Sequence, residues 1–205
     1  MEESIAEVRG RHQTIMQRST IRCLAQSSLL AALTAILAWI ILPLPIGPVP
    51  ISGQSFGVML AGLLLPPRWA AASQAIYLGL GLIGLPVFAG GGAGLGILVG
   101  PTGGYLVGFL LGAPVTAWMS AELSSYRTIG AAVAVLVGCV ALVHFLGVLQ
   151  LAAVAGLSLQ GAFIVGTLPF LPGDILKSLV AVAVYSRLAQ SGLIELHRKE
   201  FERSR

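Results

Sequence analysis

The sequence predicts an all-α integral membrane protein with six transmembrane helices. Of the 205 residues, 56% are hydrophobic and only 10% are charged, and the mean hydropathy is +0.91. Ordinary soluble globular domains do not have this composition. Three long runs, 23–67, 69–121 and 128–173, contain no charged residue. Such runs are long enough to cross a bilayer several times, and they must be helical because backbone polar groups cannot remain unpaired in hydrocarbon.

Prolines and glycines place the breaks between the helices. The first helix ends before a proline-rich stretch, the Pro66-Pro67 pair separates the second helix from the third, and 86–101 is a glycine-rich loop. Pro169 and Pro172 open the sixth helix. The predicted helices lie at 23–42, 54–66, 69–85, 102–121, 128–150 and 169–189. They form one membrane domain over 23–190, between a basic cytoplasmic leader (1–22) and a charged cytoplasmic tail (191–205).

The positions of arginine and lysine predict the orientation of the helices. Every Arg, and every Lys except Lys177, lies in the leader, in the turn at 66–68, in the loop at 122–127 or after residue 186. The alternate segments, 43–53, 86–101 and 151–168, contain no charge. We therefore expect both termini in the cytoplasm and a multi-pass protein of the cytoplasmic membrane. The net charge of +4 follows from this topology and does not indicate a nucleic-acid partner.

One pair of charges lies inside an apolar segment. Asp174, the only Asp of the chain, and Lys177 both fall near the start of the sixth helix. Charges at this depth are costly and usually functional, and residues three apart share one face of a helix. The pattern fits an internal ion pair that fixes the helix, a ligand site, or a proton or ion relay. It leaves the choice open.

The two predicted outer loops next to this pair are apolar. The first, 43–54, is stiffened by prolines, and the second, 90–105, is dense in glycine. Apolar loops beside an outward-facing charged pair suggest lids over a buried ligand, with few contacts of their own. The alternative is that the glycines only permit tight backbone packing. Neither loop has a phosphate-binding pattern, so we expect no ATP hydrolysis by this chain.

Three further patterns bear on function. His144 is expected to form a hydrogen bond to a neighbouring helix rather than to bind a ligand. No Ser-His-Asp or Cys-His motif and no metal-ligand spacing is present, so we predict no catalytic residue, no metal and no cofactor. Ser27, Ala31 and Ala35 form a stripe of small residues on the first helix. Such a stripe permits close approach of another helix, either inside the bundle or on a partner subunit; we assign it to partner coupling.

Four motifs together resemble the BioY family, the biotin-specific S components of energy-coupling factor transporters. The resemblance covers about residues 23–190. The motifs are Val49-Pro-Ile-Ser-Gly-Gln54, Gly84-Leu-Pro-Val-Phe-Ala-Gly90, Gly100-Pro-Thr-Gly-Gly-Tyr-Leu-Val-Gly-Phe109 and Leu171-Pro-Gly-Asp-Ile-Leu-Lys177.

The resemblance implies a six-helix S-component bundle that captures biotin and is not an enzyme. It also implies a transmembrane coupling subunit and two cytoplasmic ATPases as partners. Asp174 and Lys177 match residues of the family's biotin site, and Gln54 ends a Ser52-Gly-Gln54 stretch in place of the usual Thr-x-Gln.

The chemistry of biotin fits these residues. Asp174 can accept hydrogen bonds from the urea N–H groups, and Lys177 can donate to the urea carbonyl or to the carboxylate. Phe88, Tyr105 and Phe109 are expected as apolar walls, and Gly91 completes the predicted substrate-binding set. An S component for another vitamin and a stand-alone ion-coupled transporter are the alternatives.

Overall fold

The computed structural model describes residues 2–42 and 48–191, with side chains from Thr20 onward. It is a bundle of helices with one small hairpin. The helices are α1 (Glu2–Leu37), α2 (Gln54–Leu64), α3 (Pro67–Leu82), α4 (Leu95–Val99), α5 (Gly103–Glu122), α6 (Arg127–Val135), α7 (Val143–Ala155), α8 (Leu159–Gly166) and α9 (Leu171–Gln190). Strands β1 (Ile41–Leu42) and β2 (Ile51–Ser52) are antiparallel, with Ile41 opposite Ser52. The predicted all-α class is confirmed.

The backbone of α1 is continuous across the predicted boundary between leader and membrane domain. The helix begins at Glu2 and ends at Leu37, so the predicted leader, 1–22, shares one backbone helix with the predicted first crossing; its position in the cytoplasm stays a prediction. The change from polar to apolar residues near position 22 alters the surroundings of the helix, but it introduces no residue that breaks the backbone. The predicted tail, 191–205, lies outside the described residues except for Ser191.

The segment predicted as the third outer loop, 151–168, is mostly helical. Helices α6 and α7 are joined by a π-helical segment, Leu136–Leu142, so that the helix runs on to Ala155. It ends at Gly156, whose φ of +64° is the left-handed conformation that favours glycine. Helix α8 follows, at an angle of 55° to α9. The loop prediction was wrong because an apolar stretch in a membrane satisfies its backbone best as helix.

Three helical stretches among the described residues are long and apolar enough to cross a bilayer singly: Thr20–Leu37, Gly103–Glu122 and Ser124–Ala155. The bent pair of α8 and α9 forms a fourth candidate. Helices α2 and α3 contain 11 and 16 residues and meet at Pro66. Large apolar side chains on the outer surface, such as Leu29, Ile36 and Phe145, suit lipid contact. The chain is thus a multi-pass membrane protein, while six crossings and cytoplasmic termini stay predictions.

Helix α5 is central and packs against α2, α3 and α7. Small residues bring these helices close together. A Cβ atom added at Gly112 would lie 2.5 Å from the Gly138 carbonyl oxygen, and one at Gly108 would lie 2.8 Å from the Val143 Cα. Close approach of this kind is typical of helix packing in membranes.

The stripe of small residues on α1 lies inside the bundle. Ser27 and Ala31 are fully buried, and Ala35 is partly buried against the core. Ser27 Oγ donates to the Trp69 carbonyl oxygen of α3 at 3.0 Å. The assignment of this stripe to partner coupling was therefore wrong, because these side chains serve the contacts of α1 with α2 and α3. The spacing reveals that a helix approaches closely, but not which helix does so.

Candidate functional site

A cavity of about 300 Å³ opens between two connecting segments, 48–53 and 86–102, and the ends of α2, α5, α7 and α9. We call these the first and second outer segments, after the predicted topology. Its size lies at the lower end of small-molecule sites. Apolar side chains form most of the wall, and a few polar groups converge on one side. The residues that line it include Val49, Ser52, Gln54, Ser55, Phe88, Ile97, Tyr105, Leu106, Phe109, Cys139, Val143, His144, Phe170, Asp174 and Lys177.

We call Ser52, Ser55, His144, Asp174 and Lys177 the polar centre. Asp174 is its hub and is only 5% exposed. One carboxylate oxygen, Oδ1, accepts from Ser55 Oγ at 3.0 Å and from Lys177 Nζ at 3.1 Å. The other, Oδ2, lies 2.8 Å from His144 Nε2. The carboxylate is thus held by residues of three helices.

The ammonium of Lys177 has all of its protons engaged. Besides Asp174, it donates to the Ser52 carbonyl oxygen at 2.7 Å and to Ser55 Oγ at 2.9 Å. An ammonium has three donors, so these contacts account for its capacity. The bond to Ser52 ties the first outer segment to α9, and a ligand contact with Lys177 requires the exchange of one of these bonds.

The local sequence of α9 places Asp174 and Lys177. Pro172 lies at the start of the helix, where its fixed φ and missing N–H are tolerated. Asp174 follows in the first turn, where the helix dipole favours a negative charge. Lys177 is three residues further along and reaches the same face. The predicted ion pair therefore exists, and it lies on the wall of the cavity.

Gln54 connects the site to the middle of the bundle. Its Oε1 accepts from Ser52 Oγ at 2.8 Å, and its Nε2 donates to the hydroxyl of Tyr77. The Tyr77 hydroxyl in turn donates to the Val87 carbonyl oxygen at 3.0 Å. This chain of bonds links the first outer segment, α3 and the second outer segment.

The predicted aromatic walls all line the cavity. Phe88 is 1% exposed and meets the Tyr77 ring edge-on, with 5.7 Å between ring centroids. Its ring fills the space beside Gly81, where any side chain would collide with it. Tyr105 donates to the Gly166 carbonyl oxygen at 2.7 Å, and Phe109 is buried.

Gly91 does not reach the cavity wall. It lies in a single 3₁₀ turn, Ala89–Gly91, with a φ of +80°, which favours glycine. A Cβ atom there would lie 3.0 Å from the ring of Trp39. Gly91 N donates to the Phe88 carbonyl oxygen at 2.9 Å, so the structure gives Gly91 a role in the turn that carries Phe88 rather than a place on the cavity wall.

The second outer segment is more firmly attached than its glycine content predicts. Gln150 Nε2 of α7 donates to the carbonyl oxygens of Leu98 and Gly100, both at 2.8 Å. Gly94 N donates to the Gly81 carbonyl oxygen, also at 2.8 Å. The expectation of few contacts was wrong, because the segment contains α4 and its backbone groups find partners on α3 and α7.

Sequence reasoning missed Ser55, His144 and Phe170 as site residues. His144 was predicted to bond to a neighbouring helix, and its bond to Asp174 confirms this, but the same side chain also lines the cavity. A signal was present: His144 is the only titratable side chain besides Cys139 in the charge-free run 128–173. Ser55 and Phe170 carry no such signal, since serine and phenylalanine are common in membrane helices.

Comparison with known proteins gives consistent results. The model of the BioY family matches residues 11–192. The biotin transporter BioY of Rhizobium etli is 42% identical over 163 residues, which cover 73% of this chain and 87% of the relative. The biotin transporter BioY of Lactococcus lactis subsp. cremoris is 35% identical over 183 residues, 86% of this chain and 95% of the relative.

A solved structure shares the fold. The crystal structure of the S component for biotin from an ECF-type ABC transporter superposes with a TM-score of 0.82 at 33% sequence identity. The match covers 88% of this chain and 97% of the solved chain.

Proposed function

We infer that this chain, which belongs to the BioY family, captures biotin as the substrate-binding subunit of an ECF-type transporter and is not itself an enzyme. The observation that carries the proposal is the cavity with a buried carboxylate, in a chain whose fold matches an S component for biotin over nearly its full length. The two biotin transporters from Rhizobium etli and Lactococcus lactis match 73% and 86% of this chain.

The chemistry of the cavity suits biotin. Biotin has a cyclic urea with two N–H donors and one carbonyl, a fused thioether ring, and an apolar chain that ends in a carboxylate. Asp174 Oδ2 has one bond to His144 and keeps acceptor capacity for a urea N–H. Phe88, Tyr105 and Phe109 offer apolar surface to the fused rings and to the chain. Lys177 and Gln54 complete the proposed substrate-binding set.

We further propose the partners and the location of the protein. The sequence has no loop that binds nucleotide phosphates, so ATP-driven uptake requires other subunits that hydrolyse ATP. The proposed partners are a transmembrane coupling subunit and cytoplasmic ATPases, and the proposed location is the cytoplasmic membrane. Biotin is the transported ligand, and no cofactor is proposed.

Isothermal titration of the detergent-purified chain tests the capture of biotin. We expect saturable binding of one biotin per chain, and no heat of binding with thiamine or riboflavin at the same concentrations. Binding of another vitamin instead of biotin would contradict the assigned ligand.

A second experiment tests the source of energy. Uptake is measured in proteoliposomes that contain the chain alone or together with the coupling subunit and ATPases. We expect ATP-dependent uptake only in the complete assembly. Uptake by the chain alone that stops when the proton gradient collapses would instead establish a secondary transporter.

A further inference from the structure

His144 is a buried polar side chain that lies outside the four sequence motifs. It is 6% exposed, and both ring nitrogens face oxygen atoms. Nε2 lies 2.8 Å from Asp174 Oδ2, and Nδ1 lies 3.2 Å from the Gly166 carbonyl oxygen. The rings of Tyr105 and Phe170 flank the imidazole, each with a centroid distance of 5.8 Å. The imidazole is therefore fixed in orientation as well as in position.

The π-helical segment explains how His144 reaches the cavity. Cys139 and His144 both line it, although residues five apart in an ordinary α-helix point about 140° away from each other. A π-helix pairs residues five apart, and such segments often occur at functional sites. Contacts with α5 define the segment: Thr116 Oγ1 donates to the Ala134 carbonyl oxygen at 3.2 Å, and a Cβ atom at Gly138 would lie 2.2 Å from Thr116 Oγ1.

The two oxygens of Asp174 are held unequally. Oδ1 accepts two hydrogen bonds, from Ser55 and Lys177. Among the described side chains, only His144 holds Oδ2. An ionised carboxylate only accepts hydrogen bonds, so the proton in the contact with His144 lies on Nε2. Without this bond, among the described side chains only Ser55 and Lys177 would hold the carboxylate, both through Oδ1.

We propose that His144 is a positioning residue of the biotin site: its Nε2–H fixes the plane of the Asp174 carboxylate and so aims the remaining acceptor site of Oδ2 at the ligand. The inference rests on the proposed function and adds to it a residue that acts through Asp174. Helix α7 thereby takes part in recognition through a side chain that orients another, and the π-helical segment is the feature that aims it.

Binding measurements on His144 variants form the main test. His144→Leu removes the donor and is expected to weaken biotin binding about tenfold to hundredfold, as for the loss of a hydrogen bond to a charged group. His144→Gln keeps an N–H donor and should recover most of the affinity. Phe145→Leu is the matched control, because Phe145 is the next residue and faces outward, 61% exposed; it should bind as the wild type does.

A double-mutant cycle separates positioning from general packing. If His144 acts through Asp174, His144→Leu should change the dissociation constant by less than about threefold in the Asp174→Asn background. An equal loss in both backgrounds, or equal affinities of His144→Leu and wild type, overturns the proposal. Failure of the wild type to bind biotin at all would instead refute the proposed function, so the two failures are distinguishable.

A spectroscopic test needs neither ligand nor an affinity change. The chain has three histidines, at positions 12, 144 and 197, and ¹⁵N-histidine labelling isolates their ring signals. We expect one hydrogen-bonded Nε2–H signal in the wild type that is absent in His144→Gln and shifted in Asp174→Asn. Absence of this signal from the wild type would place the proton elsewhere and would overturn the positioning role.

Discussion

The surroundings of the cavity and the rest of the bundle are built by different means. Around the cavity, in what we call the cavity half, polar side chains bond across segments far apart in sequence, such as Asp174 with His144 and Gln150 with Leu98. Away from the cavity lining, in the packed half, helices meet mainly through small residues, such as Ala31 on α1 and Gly62, whose added Cβ would lie 2.7 Å from Thr116. Recognition and stability therefore rest largely on different residues, and changes in each half should have different consequences.

Ligand affinity should depend most strongly on Asp174, in the cavity half. Asp174→Asn should weaken biotin binding by about 2–5 kcal/mol, because the charge-assisted bonds are lost and the Lys177 ammonium is left without its counter-charge. Calorimetry measures the affinity, and thermal unfolding in detergent checks that the variant is folded. Near-wild-type affinity in a folded variant would reduce the Asp174–Lys177 pair to a structural element.

The packed half should respond in stability. Ala31→Leu places a larger side chain at a fully buried position and should destabilise the fold by about 1–3 kcal/mol through overpacking. The exposed neighbour Ala32 provides the matched control, since Ala32→Leu adds the same atoms on the outer surface. Thermal unfolding of the two variants is the measurement. Equal unfolding temperatures would show that α1 does not pack as the structure describes.

Within the cavity half, the two outer segments should respond separately to the loss of a bond that holds only one of them. Gln150→Leu removes the donor to the Leu98 and Gly100 carbonyl oxygens, at about 0.5–1.5 kcal/mol for each hydrogen bond. Amide hydrogen exchange should therefore become faster around residues 95–103 and stay unchanged at 48–54. A change in both segments alike would mean that they open as one unit.

Ligand binding, in contrast, should slow hydrogen exchange in both outer segments. Because each lines the cavity, bound biotin is expected to slow hydrogen exchange at 48–54 and at 88–100. The chain with and without saturating biotin is compared, and α6 provides an internal reference. Exchange that stays the same in both segments would exclude their role as lids.

The final prediction concerns sidedness and should not alter affinity. A cysteine introduced at Gly92 should react with an impermeant thiol reagent added from outside, whereas one at Ser125 should not. The native Cys23 and Cys139 are buried, so their background labelling should be low. The reverse pattern would place the cavity half on the cytoplasmic side and would contradict the predicted position of both termini.

Much of the architecture follows from the sequence, because the bilayer leaves few options. Apolar runs without charge must be helical, and the predicted starts of α2, α5 and α9 agree with the structure within two residues. The prediction of a loop at 151–168 was wrong, because the apolar residues of this segment continue as α7 and α8. In apolar segments of this kind, the position of a helix end depends on the lipid and the neighbouring helices rather than on the local sequence.

Composition and helical spacing are enough to predict an all-α membrane protein in which Asp174 and Lys177 face one another, since a separation of three residues on a helix fixes that geometry locally. Tertiary packing brings His144 of α7 and Ser55 of α2 to the same carboxylate. It also places Ser27 and Ala31 inside the bundle. Spacing along a helix defines a face, whereas the neighbour of that face depends on how distant segments pack.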